Sequence, residues 1–64
     1  MIGDREKAEC AAREVKQRQH VYPRFVADGR MSQGFADRQI EVMHAIAQDY
    51  SERADRADAT GRLL

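Results

Sequence analysis

The sequence predicts an all-α chain, a two-helix antiparallel hairpin, on three observations. Apolar residues recur at helical spacing along two long stretches. One compact, glycine-containing turn separates them, and the second stretch carries an apolar face wider than a single partner helix needs.

Helix one is predicted from about residue 4 to 28. Gly3-Asp4 opens it, with Asp4 as the N-cap. Ala8, Ala11, Ala12, Val15, Tyr22, Phe25 and Val26 then fall within about 140° of one face at about 100° per residue. The opposite face carries Glu6, Glu9, Arg13, Lys16, Gln17, His20 and Arg24. Pro23 interrupts this stretch: its ring removes one backbone hydrogen bond and crowds the carbonyl of Gln19. The apolar face nevertheless continues in phase, and Tyr22 would be a poor cap for a fresh helix. The sequence therefore favours one helix kinked at Pro23 over two separate helices.

The turn, 29–32, sits within Asp28-Gly29-Arg30-Met31-Ser32. Gly29 suits the left-handed position that ends many helices. Ser32 is a good N-cap for the next helix, Met31 and Ala36 occupy the staple positions around it, and Asp37 sits early, where the dipole favours an acid. So short a connection makes the helices antiparallel neighbours.

Helix two is predicted over 33–57. Ala36, Ile40, Met43, Ala47, Tyr50, Ala54 and Ala57 repeat at alternating spacings of four and three. Phe35, Val42 and Ile46 widen that face to about 160°. Val15, Phe25, Ile40, Met43, Ile46, Ala47 and Tyr50 are the expected core, shared between the hairpin and a dimer mate. The hairpin domain is placed at 1–58. Charges and small residues dominate after Ser51, so 59–64 is expected to be a flexible tail.

Size supports self-association. A chain of 64 residues buries a modest fraction of its surface, and its single cysteine, Cys10, forms no internal disulfide. The aid that remains is pairing of two hairpins into a four-helix bundle. Eleven basic residues balance eleven acidic ones, so no global field draws the chain to nucleic acid or membranes. The N-terminus has no signal-peptide pattern, and no apolar run reaches the ~18 residues of a membrane span. A cytoplasmic protein without membrane contact is expected.

The chemistry-bearing residues form no clear constellation. Glu41-Val42-Met43-His44 contains the Glu-x-x-His pair of di-iron bundles, but helical geometry turns Glu41 and His44 about 100–160° away from the core-facing Met43. His20 lies between Lys16 and Arg24 with no carboxylate to orient it, and is about 15 Å along the helix from Cys10. No triad, phosphate loop or carboxylate pair is present. The sequence predicts a non-enzyme with no metal or cofactor. Arg13, Lys16, His20 and Arg24 form a basic stripe suited to phosphates, with Arg30 beyond it. The blander explanation is favoured: acids near the helix N-terminus and bases near its C-terminus complement the macrodipole, and Glu9 can pair with Arg13. Tyr22, Arg24 and Phe25 beside Pro23 make a second surface of interface-type residues, although Phe25 is expected to pack inward. Leu63 and Leu64 either dock into a partner's groove or simply end the chain.

Val21-Tyr22-Pro23-Arg24-Phe25-Val26, then Gly29-Arg30-Met31-Ser32-Gln33, Ala36-Asp37 and Ile40-Glu41-Val42-Met43-His44-Ala45-Ile46, resembles a group of small proteins encoded by temperate phages and prophages of proteobacteria. The likeness spans residues 4–53. It brings no catalytic or binding residues with it. What it implies is a context: small phage early proteins often bind a host protein and block it, among them anti-CRISPRs, other anti-defence proteins and anti-activators of transcription regulators or pilus ATPases. Several are dimerising helical hairpins. The expected function is thus a non-enzymatic, dimeric protein of the host cytoplasm that binds and modulates a host protein. Tyr22, Arg24, Arg30, Leu63 and Leu64 are the expected contacts. A nucleic-acid-binding accessory factor using the basic stripe is the first alternative, and a sponge for a small anionic nucleotide signal the second.

Overall fold

A computed structural model describes the backbone of residues 1–63 and the side-chain surroundings of residues 1–61. It holds two helices, α1 (Asp4–Ala27) and α2 (Gln33–Leu63), packed as an antiparallel hairpin measuring 54 × 18 × 16 Å. There is no strand among the described residues.

α1 begins one residue earlier than its capping pattern suggests. Gly3, in extended conformation (ψ 170°), is the N-cap and gives no side-chain cap bond; its carbonyl accepts the Lys7 N–H at 3.1 Å. Asp4 is therefore the first helical residue rather than the cap. It and Glu6 act through the dipole, as acids in the first turn. α1 then runs unbroken through Pro23, as one helix.

The turn is built as the local sequence dictates. Gly29 has φ 73°, the one positive φ among the described residues. Its N–H donates to Val26 O at 3.1 Å and the Arg30 N–H donates to Phe25 O at 2.9 Å, the paired bonds of a Schellman cap. The Arg30 guanidinium then lies 5.9 Å from the centre of the Phe25 ring, filling the place where an apolar contact usually closes this motif. Ser32 caps α2: its Oγ accepts the Phe35 N–H at 3.1 Å, and its carbonyl accepts the Ala36 N–H at 3.0 Å. Ser32→Ala is expected to cost about 1 kcal/mol, read as a shift in the denaturant midpoint with an unchanged slope.

The seam between the helices is thin. Ala8, Ala11 and Val15 of α1 and Ala36 and Ala54 of α2 are the buried hydrophobic residues, and no large side chain is fully buried among the described residues. Alanine at the contact permits a short interaxial distance, towards the low end of the usual ~8–10 Å. Ile40, Met43, Ala47 and Tyr50 are half-buried along the edges, and Phe35, Val42 and Ile46 are 54%, 40% and 38% exposed.

Two further predicted features change. Ala57 was placed on the seam but is exposed. α1 starts only at Asp4, and its Arg5 pairs with Asp55 and Asp58, so little of α1 is left to cover residues beyond them. α2 also continues to Leu63 rather than ending near residue 57. Ala57 and Ala59 are strong helix formers, so residues 58–63 extend the helix, in which the Thr60 hydroxyl donates back to Arg56 O at 2.9 Å.

Candidate interaction surfaces

Three side-chain groups decorate the hairpin. Near the turn, Arg18, Tyr22, Phe25 and Arg30 form a cation–aromatic ladder. The Arg18 guanidinium is 5.9 Å from the Tyr22 ring centre, the Tyr22 and Phe25 rings are 6.2 Å apart at 34°, and Arg30 covers Phe25. Arg18 is also the one arginine that clamps the two helices near this end. Its Nε donates to Glu14 at 3.0 Å and its Nη1 donates to the Gln39 carbonyl at 3.0 Å, with the side chain 22% exposed. An arginine to a part-buried carbonyl is a charge-assisted bond, stronger than a surface ion pair. Arg18→Ala is expected to cost about 1–2 kcal/mol, whereas Arg38→Ala, which removes only an exposed contact to Glu41 at 3.4 Å, stays within about 0.5 kcal/mol. Chemical denaturation of the two variants distinguishes these cases.

At the far end, Arg5 reaches Asp55 at 2.8 Å and Asp58 at 3.0 Å. Hydrogen bonds to Asp55 and then Asp58 raise the Arg5 pKa above its ordinary value, but all three groups stand in solvent and the clasp orients the helices more than it stabilises them. About one turn further in from that end, Lys7 and Arg53 approach the Tyr50 ring from 5.3 Å and 5.2 Å.

The contact residues expected from sequence separate. Tyr22 is half-buried between Arg18 and Phe25, and Arg30 is committed to Phe25. Arg24 is exposed and lies about 160° around α1 from Tyr22, on the far side. The three therefore do not form one patch. The side chain of Leu63 and the whole of Leu64 lie outside the described residues. Of the expected core, Val15 is buried; Phe25, Ile40, Met43, Ala47 and Tyr50 are half-buried; Ile46 faces outward.

The basic stripe persists as a surface. Arg13, Lys16, His20 and Arg24 are all exposed, and none forms an ion pair among the described residues. The Glu9–Arg13 pair that spacing allows is not made; Glu14–Arg18 is the i, i+4 pair of α1 instead. Glu41 contacts Arg38, and no group of three or more His, Cys, Asp or Glu side chains that could hold a metal occurs among the described residues. Cys10 is exposed. Beside it runs a shallow groove of about 450 Å³ between α1 and α2, floored by Ile2, Ala11, Met43, Ile46 and Tyr50. No described helix is long and apolar enough to cross a membrane.

No protein-family model, curated protein or solved structure matches this chain.

Sequence reasoning missed Arg18, Arg5, Lys7 and Arg53. Signals for two of them were present. Glu14, Arg18 and Tyr22 stand four residues apart, the spacing at which side chains meet on a helix, and Tyr50 and Arg53 stand three apart. The contacts of Arg5 and Lys7 with α2 depend on the register between the helices, which spacing does not carry.

Proposed function

We propose that this chain is a non-enzymatic interaction protein that works as a homodimer, two hairpins forming a four-helix bundle, and binds and modulates a host protein in the cytoplasm of a phage-carrying cell. The observation that carries the reading is the thin alanine seam with its large apolar residues outside it. Phe35, Val42 and Ile46 are exposed on one side of α2, and Ile46 also lines the groove that runs from Ile2 to Tyr50. A surface of that kind marks a binding face more often than a solvated one. The overall area agrees. A monomer of 7.3 kDa is expected to expose about 4,200 Å², while this hairpin exposes 5070 Å². The difference is close to the ~800 Å² that each partner of a standard interface buries.

The phage context rests on the resemblance of the Val21–Val26 and Gly29–Gln33 segments. In this reading α1 bends at Pro23, where the Gln19 carbonyl loses its helical donor. The ladder of Arg18, Tyr22, Phe25 and Arg30 next to that bend supplies the aromatic and arginine side chains that anchor protein interfaces.

Affinity capture from the lysate of a proteobacterial host tests the host-partner part. The expected result is one stoichiometric host protein that is lost with Tyr22→Ala and with Arg30→Ala. Recovery of nothing, together with unchanged host behaviour on overexpression, sinks it.

A second reading is favoured by the unpaired, exposed stripe of Arg13, Lys16, His20 and Arg24, which a dimer would duplicate. In it the protein binds nucleic acid through phosphates. Affinity for labelled DNA or RNA would then fall steeply between two salt concentrations and vanish in the Arg13, Lys16 and Arg24 triple alanine variant.

A further inference from the structure

The outer face of α2 has a property beyond being apolar: read backwards, it complements itself. Set out at about 100° per residue, Phe35, Val42, Ile46 and Arg53 fall within about 40° of one another, and Arg38 and Asp49 share one edge of that strip. Centred on residue 44, Val42 and Ile46 stand two residues to either side, and Phe35 and Arg53 stand nine to either side. Arg38 and Asp49 stand six before and five after.

From this arrangement we infer that two copies pack α2 against α2 in antiparallel orientation, about a two-fold axis at the level of residue 44. The inference rests on the self-association proposed above and supplies its register. Val42 of each copy meets Ile46 of the other at the centre. Phe35 of each copy lies under Arg53 of the other, a cation–aromatic pair at both ends of a contact about 27 Å long. Along the edge, Arg38 of each copy faces Asp49 of the other. In an antiparallel helix pair, residues on one edge meet residues on the same edge of the partner, so these charges come together in two symmetric, opposite-sign pairs. A parallel pair would instead set this edge of each copy against the opposite edge of the other, and Arg38 and Asp49 would lose each other as partners.

The side chains concerned are available. Phe35, Val42 and Ile46 are 54%, 40% and 38% exposed. Asp49 is exposed and forms no ion pair among the described residues. Arg38 holds only the long 3.4 Å contact to Glu41, with both side chains about 70% exposed, so little is lost when it turns to a partner. Arg53 already leans over this half of the helix, 5.2 Å from the Tyr50 ring centre. A symmetric interface must present one surface that complements itself, and this strip does so in apolar contact, in cation–aromatic pairing and in charge.

A charge-swap cycle read by analytical ultracentrifugation tests the inference. The wild type is expected to sediment as a dimer. Arg38→Glu and Asp49→Arg are each expected to raise the dimer Kd about tenfold, since each turns two attractions into two repulsions. The double variant Arg38→Glu/Asp49→Arg restores both pairs with their signs exchanged and is expected to return to within about threefold of wild type. That recovery also excludes misfolding, because the double variant carries both substitutions. A wild-type dimer indifferent to either single change, or a double variant weaker than both singles, overturns the register and leaves self-association standing. A wild type that stays monomeric at every concentration overturns both, and leaves the face to a helix of some other protein.

Discussion

Ala36→Leu is expected to lower stability by about 2 kcal/mol, and in a domain this small that moves Tm down by about 10 °C. Ala36 is 1% exposed, the most buried residue described. It lies at the start of α2, where the helix has just been set by the Ser32 cap, so the backbone there has little freedom to retreat. Three added carbons have to go into a seam lined by buried alanines and Val15. Either the helices part, which exposes Ala8, Ala11 and Val15 along their length, or the leucine takes a strained rotamer. The same substitution at Ala45, exposed on the same helix, is the control and is expected to stay within about 0.5 kcal/mol. Thermal melts at one protein concentration compare the two. Equal losses at both positions would mean that the alanine seam does not determine how closely the helices pack.

The second large effect concerns the outside of α2. Val42→Glu/Ile46→Glu is expected to raise the dimer Kd at least about a hundredfold, because four apolar side chains per dimer leave the proposed contact and four carboxylates take their place. In the single chain both side chains remain exposed, at 40% and 38%. The substitution therefore separates folding from association. In dilute solution the wild-type Tm is expected to rise with protein concentration, as it must when dimerisation contributes to stability. The double-glutamate variant is expected to lose that dependence and to melt near the wild-type value extrapolated to low concentration. A variant whose Tm still climbs with concentration would show that the stripe is not where copies meet.

Local features of the fold were legible because they depend on a few adjacent residues. The Gly29 cap and the Ser32 cap each need one residue type at one place, and both stand where the sequence puts them. The limits of α1 are close to those predicted, although the cap moved from Asp4 to Gly3, a difference of one residue in which group starts the helical bonds. The extension of α2 to Leu63 was harder to see. Ser51 to Arg62 is polar, and polarity resembles a tail, but its alanines, arginines and acids are also good helix formers. Composition does not separate the two when the apolar stripe that normally marks a helix has faded.

The candidate surfaces were less legible, for a different reason. Tyr22, Arg24 and Arg30 look like neighbours in sequence, yet Arg24 stands on the far side of α1 while Arg30 turns back over Phe25. Of the contacts of Arg18, those with Glu14 and the Tyr22 ring follow helical spacing, whereas the one with the Gln39 carbonyl joins residues remote in sequence.

By itself the chain's sequence determined that there would be two helices, where the turn between them falls and how each end of that turn is capped. These follow from residue-by-residue preferences and from the period of the apolar positions. Only the tertiary structure decided which apolar residues are inside. Alanines and Val15 fill the seam while Phe35, Val42 and Ile46 stay at the surface, and which side of each helix faces the other is a property of two helices in contact, which no single stretch of sequence contains.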